Sequence, residues 1–278
     1  MSFKIIVDSC CDLTSAMLHD PTYVKVPLTI EVDGTYFVDD VSFQQSELLW
    51  QMKKSPNAPK TSCPSPAQYM DAFGDGADDI YVVTLSALLS GSHNVAVRAK
   101  DIWIEEFPNA NIHIFNSCSA SAGQVRIALE IQRLASQGLP FQQVVRKTEQ
   151  FISGMSTLFV LESLDNLRKN GRLTRMQAIV TSTLKLKLLC AATPEGEICK
   201  KSQALSVKQA LHKMVEFICQ DPEHIGKTAV ISHCNCLERA FSLKTELLNK
   251  AGFAEVIVTD TGGISTVYAD DGGIVVAF

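Results

Sequence analysis

Short runs of apolar, mostly β-branched side chains recur along the chain at residues 3–7, 80–84, 111–115, 157–160, 228–232, 255–259 and 274–277. Runs of this length read as buried strands. Between the early runs lie stretches of helical periodicity, 92–106, 121–137 and 141–152, the second carrying Val125, Leu129, Gln132 and Leu134 near one stripe. Strand followed by helix, repeated, predicts a mostly parallel sheet covered on both faces, a doubly wound α/β arrangement. Alternating apolar residues at 23–38 flank Asp33-Gly34, a strong hairpin signal, and predict a hairpin beside that sheet. Beyond residue 150 the pattern changes. A strand at 157–160 precedes a helical segment at 162–169, and a run at 185–192 joins a further short run through Pro194-Glu195-Gly196-Glu197. Helical segments at 207–218 and 237–250 each precede a strand, which predicts a mixed or antiparallel sheet covered by helices on one face. The expected organisation is two α/β domains, 1–153 with the hairpin near 23–38, and 154–278.

The 278 residues are enough for two cores, and 46% apolar with 20% charged residues is ordinary globular composition. A formal net charge of −5 without a Lys/Arg block supplies none of the positive field a nucleic-acid backbone requires, so nucleic acid is not an expected partner. The start reaches Asp8 too soon for a signal h-region, and no apolar run approaches spanning length; the expected compartment is the cytoplasm. Nine cysteines, scattered along the chain, read as reduced thiols. Cys10-Cys11 and His233-Cys234-Asn235-Cys236 lack the two spaced pairs of a zinc site, so no metal is expected.

Small hydroxyl residues gather where the early strands end: Asp8-Ser9-Cys10-Cys11-Asp12, Leu85-Ser86 through Ser90-Gly91-Ser92, and Ser117-Cys118-Ser119-Ala120-Ser121. In open α/β sheets such carboxyl ends form the binding crevice. Ser90-Gly91-Ser92 precedes a helix, where backbone N–H groups and hydroxyls either receive an anion or simply cap the helix. In Lys60-Thr61-Ser62-Cys63-Pro64-Ser65-Pro66, the prolines hold Thr61 and Ser62 extended while Ser65 starts a helix. Those hydroxyls suit an acidic head group, although a plain helix start explains the segment equally well. Arg172 follows Asn170-Gly171, a helix C-cap signal; its guanidinium either meets an anion or lies solvated.

Other signatures fail. Gly226-Lys227-Thr228 resembles the end of a phosphate loop, but it follows a helix and enters a strand, the reverse order. Gly74-Asp75-Gly76 lacks the third glycine of a dinucleotide fingerprint and follows no strand. Neither a Gly-x-Ser-x-Gly elbow nor a His-Glu-x-x-His pair occurs.

Taken jointly and in order, Val7-Asp8-Ser9-Cys10-Cys11-Asp12-Leu13, Thr61-Ser62-Cys63-Pro64-Ser65-Pro66, Leu89-Ser90-Gly91-Ser92-His93-Asn94-Val95-Ala96, Ser117-Cys118-Ser119-Ala120-Ser121 and Leu164 through Gly171-Arg172 resemble the DegV family. The resemblance spans nearly the whole chain. It implies a long-chain fatty acid such as palmitate, stearate or oleate between two domains. The carboxyl group would lie at Thr61, Ser62 and Ser90-Gly91-Ser92, with Ser119, Arg172 and Tyr268 as further ligand-binding positions and no other cofactor. It also implies a partner, the ATP-dependent subunit of a fatty acid kinase, which phosphorylates the bound acid. Three positions depart from the family pattern: Tyr268 stands where many members carry His, Leu188 where Pro is common, and Asn116 in place of Asp. A phenol still donates to a carboxyl group but never becomes cationic near neutral pH.

Burying an acyl tail contributes about 0.8 kcal/mol per methylene, so the tail supplies affinity and the polar head sets orientation. Phosphoryl transfer requires bound nucleotide and metal, for which this chain shows no motif, so no catalysis is expected from it alone. Two other readings stay open. One is an acyl hydrolase using Ser92 with His93, or a thiol of Cys10, Cys11 or Cys63; the other is a lipid sensor acting on another protein.

Overall fold

The computed structural model describes residues 2–74, 77–173, 176 and 186–278; Lys185, expected to open a strand, and Asp75-Gly76 of the rejected fingerprint lie outside the described residues. Strands β1 (Phe3–Asp8), β2 (Tyr23–Val26), β6 (Asp79–Thr84) and β7 (Asn111–Asn116) form a wholly parallel sheet in the order β2-β1-β6-β7. Alternate side chains serve opposite faces, as the pleat requires. Ile6, Ile80, Val82, Ile112 and Ile114 pack with α3 (Pro66–Phe73) and α4 (Ser92–Glu106), while Ile5, Val7, Tyr81, Val83 and Phe115 pack with α5 (Ala122–Ser136) and α6 (Phe141–Gly154). The first sheet is doubly wound.

The second sheet takes β8 (Thr157–Val160), β9 (Lys187–Ala192), β10 (Ile198–Ala204), β11 (Thr228–His233), β12 (Glu255–Asp260) and β13 (Ile274–Ala277), in the order β10-β9-β8-β13-β11-β12. Every neighbouring pair is antiparallel except β11 and β12, which are parallel and joined through α9 (Leu237–Glu246). Helix α8 (Val207–Cys219) and α9 cover one face through Leu158, Val160, Leu189, Ile231 and Val276.

The expected covering of one face only is too little. Helix α5 packs against β1 and β6 of the first sheet and also against β11 and β13 of the second. Its buried residues include Val125, Ile127, Ala128, Ile131 and Leu134, a band wider than the single stripe in the sequence pattern. The two sheets therefore share one core through one helix.

The antiparallel region also differs from expectation. Pairing is confined to β3 (Thr29–Val32) and β4 (Thr35–Val38), with β5 (Lys60–Ser62) on the far side of β3. Asp33 and Gly34 both have positive φ, 48° and 81°, as a type I′ turn demands. Tyr23–Val26 is instead the edge of the parallel sheet; Pro27 ends that strand's run and lets the chain change sheets at Leu28.

Candidate ligand-binding site

The loops after β1, β6 and β7 converge on one cavity, contributing Cys10, then Leu85 and Leu89, then Ser119, Ala120 and Ser121. The opposing wall is the inner face of the second sheet. Phe159 on β8 faces Val275 on the neighbouring β13, and Leu161 lies just beyond the end of β8. The third side is α10 (Gly263–Ala269), which presents Ile264, Ser265, Tyr268 and Ala269. The cavity, counted together with the open space at its mouth, is about 760 Å³, and its exposed lining is almost entirely apolar.

A second chamber of about 570 Å³ adjoins it, lined by Thr61, Ser62, Cys63, Ser90 and Gly91. Leu85, Leu89, Arg172, Ile264 and Tyr268 line both chambers, so the polar chamber and the apolar one lie side by side and share these residues as a wall. Thr61 and Tyr268 share a hydrogen bond of 2.9 Å across the mouth. Arg172 follows the left-handed Gly171 (φ 75°) that ends α7 (Asp165–Lys169). Its Nε donates to Leu89 O at 3.3 Å and its Nη1 to Asn170 O. Among the described residues no carboxylate pairs with this guanidinium.

Three buried aspartates hold these walls in register. Asp39 accepts from Gly263 N at 2.8 Å and Ile264 N at 2.9 Å, while Lys25 neutralises it at 3.2 Å. Asp12 accepts from Gly262 N at 2.8 Å and from Ser121. Both carboxylates thus sit at the start of α10, where the helix dipole favours negative charge. Asp8 accepts from Leu85 N, Ser92 Oγ and Gln124 Nε2 at 2.8, 2.8 and 2.9 Å, fixing the loop after β6. Burial raises Asp8 and Asp12 to about 6 each, against the downward pull of these hydrogen bonds.

The structure brings Thr61, Ser62, Ser90, Gly91, Arg172 and Tyr268 together at the mouth and places Ser119 on the wall of the apolar chamber. Ser92 stands apart, fully buried. It gives its proton to Asp8, so the 2.7 Å contact with Tyr69 must be a bond that Tyr69 donates. The backbone N–H of Ser92 donates to Ser90 Oγ at 3.2 Å just ahead of α4, whose N-cap position is Gly91. His93 Nδ1 pairs with Thr84 Oγ1 at 3.0 Å, away from Ser92, and the two do not form a nucleophile and base. Burial, reinforced by Asp8 and Asp12, holds the Cys10 thiol protonated and unreactive. Phe159, Leu161 and Ile264 also line the apolar chamber and carry no site signal in the sequence, because a cavity-lining apolar residue carries the same signal as a core one.

The sequence pattern of the DegV family, described as uncharacterised proteins, matches residues 2–278. The chain belongs to the DegV family. A DegV domain-containing protein of Streptococcus gordonii is 34% identical over 284 residues, covering 100% of this chain and 99% of that protein. Among solved structures, a DegV-family protein of Ruminococcus gnavus, refined with vaccenic acid, is 45% identical with a TM-score of 0.96, over 100% of this chain and 99% of that one. The Streptococcus pneumoniae fatty acid kinase (Fak) B3 protein, loaded with linoleic acid, is 31% identical with a TM-score of 0.91 over the same shares. The DegV fold therefore extends from end to end of this chain.

Proposed function

We propose that this DegV-family chain binds a long-chain fatty acid, palmitate, stearate or oleate in class, and presents its carboxyl group to a separate ATP-dependent fatty acid kinase subunit in the cytoplasm. The observation that carries the reading is an apolar chamber directly beside a polar one that holds Arg172, Thr61, Ser62 and Tyr268, with Arg172 and Tyr268 lining both. Two lobes, 1–153 and 154–278, enclose the tail between them. The bound acid is the ligand, and no further cofactor enters the reading. Relatives of the same fold crystallised with vaccenic and linoleic acids support it.

The chemistry follows from the geometry. Each methylene drawn from water contributes about 0.8 kcal/mol, and the chamber offers it almost no polar surface. An ionised carboxylate left without donors would cancel much of that gain. Arg172 offers charge-assisted donors, while Thr61, Ser62 and Tyr268 supply neutral hydroxyls that orient the group without quenching its nucleophilicity. Acyl phosphate forms when a carboxylate oxygen attacks the γ-phosphorus in line and ADP leaves, a step governed by positioning and charge neutralisation. This chain supplies the positioned nucleophile, and the partner supplies nucleotide and metal.

The test is reconstitution. Delipidated protein with labelled oleate, ATP, magnesium and a purified fatty acid kinase subunit should yield acyl phosphate, with none formed when either protein is omitted. Acyl phosphate made by this chain alone, or hydrolysis of acyl esters abolished by Ser92→Ala, would replace the carrier reading with an enzyme.

A further inference from the structure

The inner chamber lies alongside β8, whose alternate residues Thr157 and Phe159, followed by Leu161, face it in turn. Leu161 lines the chamber together with Leu167 and Arg172, and Arg172 also lines the polar chamber. Thr157 is four residues further along the strand, about 13 Å away. At Thr157 the chamber stops, although the molecule does not. A separate surface crevice of about 800 Å³ begins on the other side, lined by Ser117, Cys118, Ser153, Met155 and Thr193. Thr157 and Ala192 line both spaces.

On the chamber side, Thr157 in this shared wall is paired with a second hydroxyl, that of Ser119. Ser119 Oγ and Thr157 Oγ1 lie 2.7 Å apart, both residues buried. Ser119 comes from the loop after β7 and Thr157 from the first position of β8, so the bond joins the first sheet to the second. The close approach depends on Gly123 in the first turn of α5, where an added Cβ would stand 2.0 Å from Ser119 Oγ and 3.0 Å from Thr157 Oγ1. Ser119 Oγ donates to Ala120 O at 3.4 Å, so Thr157 donates the bond between the pair and both O–H groups have acceptors; the terminal methyl of a bound chain then meets side-chain carbons and no unpaired donor.

We infer that the Ser119–Thr157 pair, with Ala192 beside it, is the floor that fixes the longest acyl chain this protein accepts. The inference rests on the fatty-acid reading and adds the residues that set its chain-length specificity. A chain one methylene too long must either break the pair or leave carbon at the wet mouth, while each methylene seated in the chamber tightens binding about fourfold.

The experiment titrates delipidated wild type, Thr157→Ala, Thr157→Leu and Ala192→Leu with saturated acids of increasing length, read by native mass spectrometry, with melting curves to confirm folding. For wild type, affinity should climb about fourfold per methylene and then break. Thr157→Ala should move the break to longer acids, and Thr157→Leu and Ala192→Leu should move it to shorter ones. An unchanged break in all three, with short acids held as tightly as by wild type, overturns the floor and leaves fatty-acid binding standing. Failure of wild type to hold any acid overturns both.

Discussion

In the polar chamber the lining groups are hydroxyls and a guanidinium carried on a short antiparallel strand, a helix-ending turn and α10; in the apolar chamber, proposed to take the tail, they are the side chains of Phe159, Leu161 and Val275 on one wall. The tail needs only volume and dryness, because hydrophobic burial is non-directional and scales with area. The mouth needs geometry, because a carboxylate is stabilised only where several donors converge. Residues far apart in sequence, such as Thr61, Arg172 and Tyr268, must be brought to one point. That difference explains the buried aspartates at the start of α10. They stiffen the element that carries Tyr268 at the mouth and Ala269 on the tail wall.

The comparison breaks most severely if the tail is filled. Val275→Trp should occupy the room of about four methylenes and weaken palmitate binding about 250-fold, measured by titration of delipidated protein, with overpacking expected to lower stability by about 1–3 kcal/mol. The shared frame is tested by pH. Asp8 and Asp12 are raised from an unfolded value of 3.8 to about 6, so the folded state binds more protons than the unfolded state between those values. Their contribution to stability is fully present below about pH 4, falls as pH rises, and is gone above about pH 6. Denaturant titrations should show these groups adding a few kcal/mol on going from pH 7 to pH 4.5, with a flatter profile in Asp12→Asn.

At the mouth the effects are smaller. Arg172→Ala should weaken the free acid about tenfold to a hundredfold, as loss of charge-assisted bonds worth about 1.5–3 kcal/mol implies, and should leave the corresponding methyl ester unaffected in the same competition assay. Tyr268→Phe removes one neutral hydroxyl and its bond to Thr61, and an affinity loss of about fivefold is expected, about 1 kcal/mol.

The strands were legible in the sequence because strands buried on both faces read as continuous apolar runs, and residues 157–160 and 274–277, buried throughout, match the antiparallel β8 and β13 end to end. The start of α3 was legible for a local reason: Ser65 and Gln68 form a capping box behind Pro66. What escaped was decided at long range. Nothing near Tyr23 says that it pairs with Ile5 in a parallel ladder, and nothing in the stripe of α5 says that it will serve two sheets. Ser92 looked like a mouth hydroxyl by its position, yet Asp8 and Tyr69, 84 and 23 residues away, turn it into the interior. The hydroxyl-rich loops after β6 and β7 showed where a ligand could lie, while the apolar wall opposite them was indistinguishable from core.

The most direct measurement is native mass spectrometry of protein purified without detergent or organic solvent. A mass shift equal to one long-chain fatty acid, released on denaturation and restored by adding palmitate or oleate to the emptied chain, is the predicted result. A ligand-free mass together with no uptake of either acid would contradict the account.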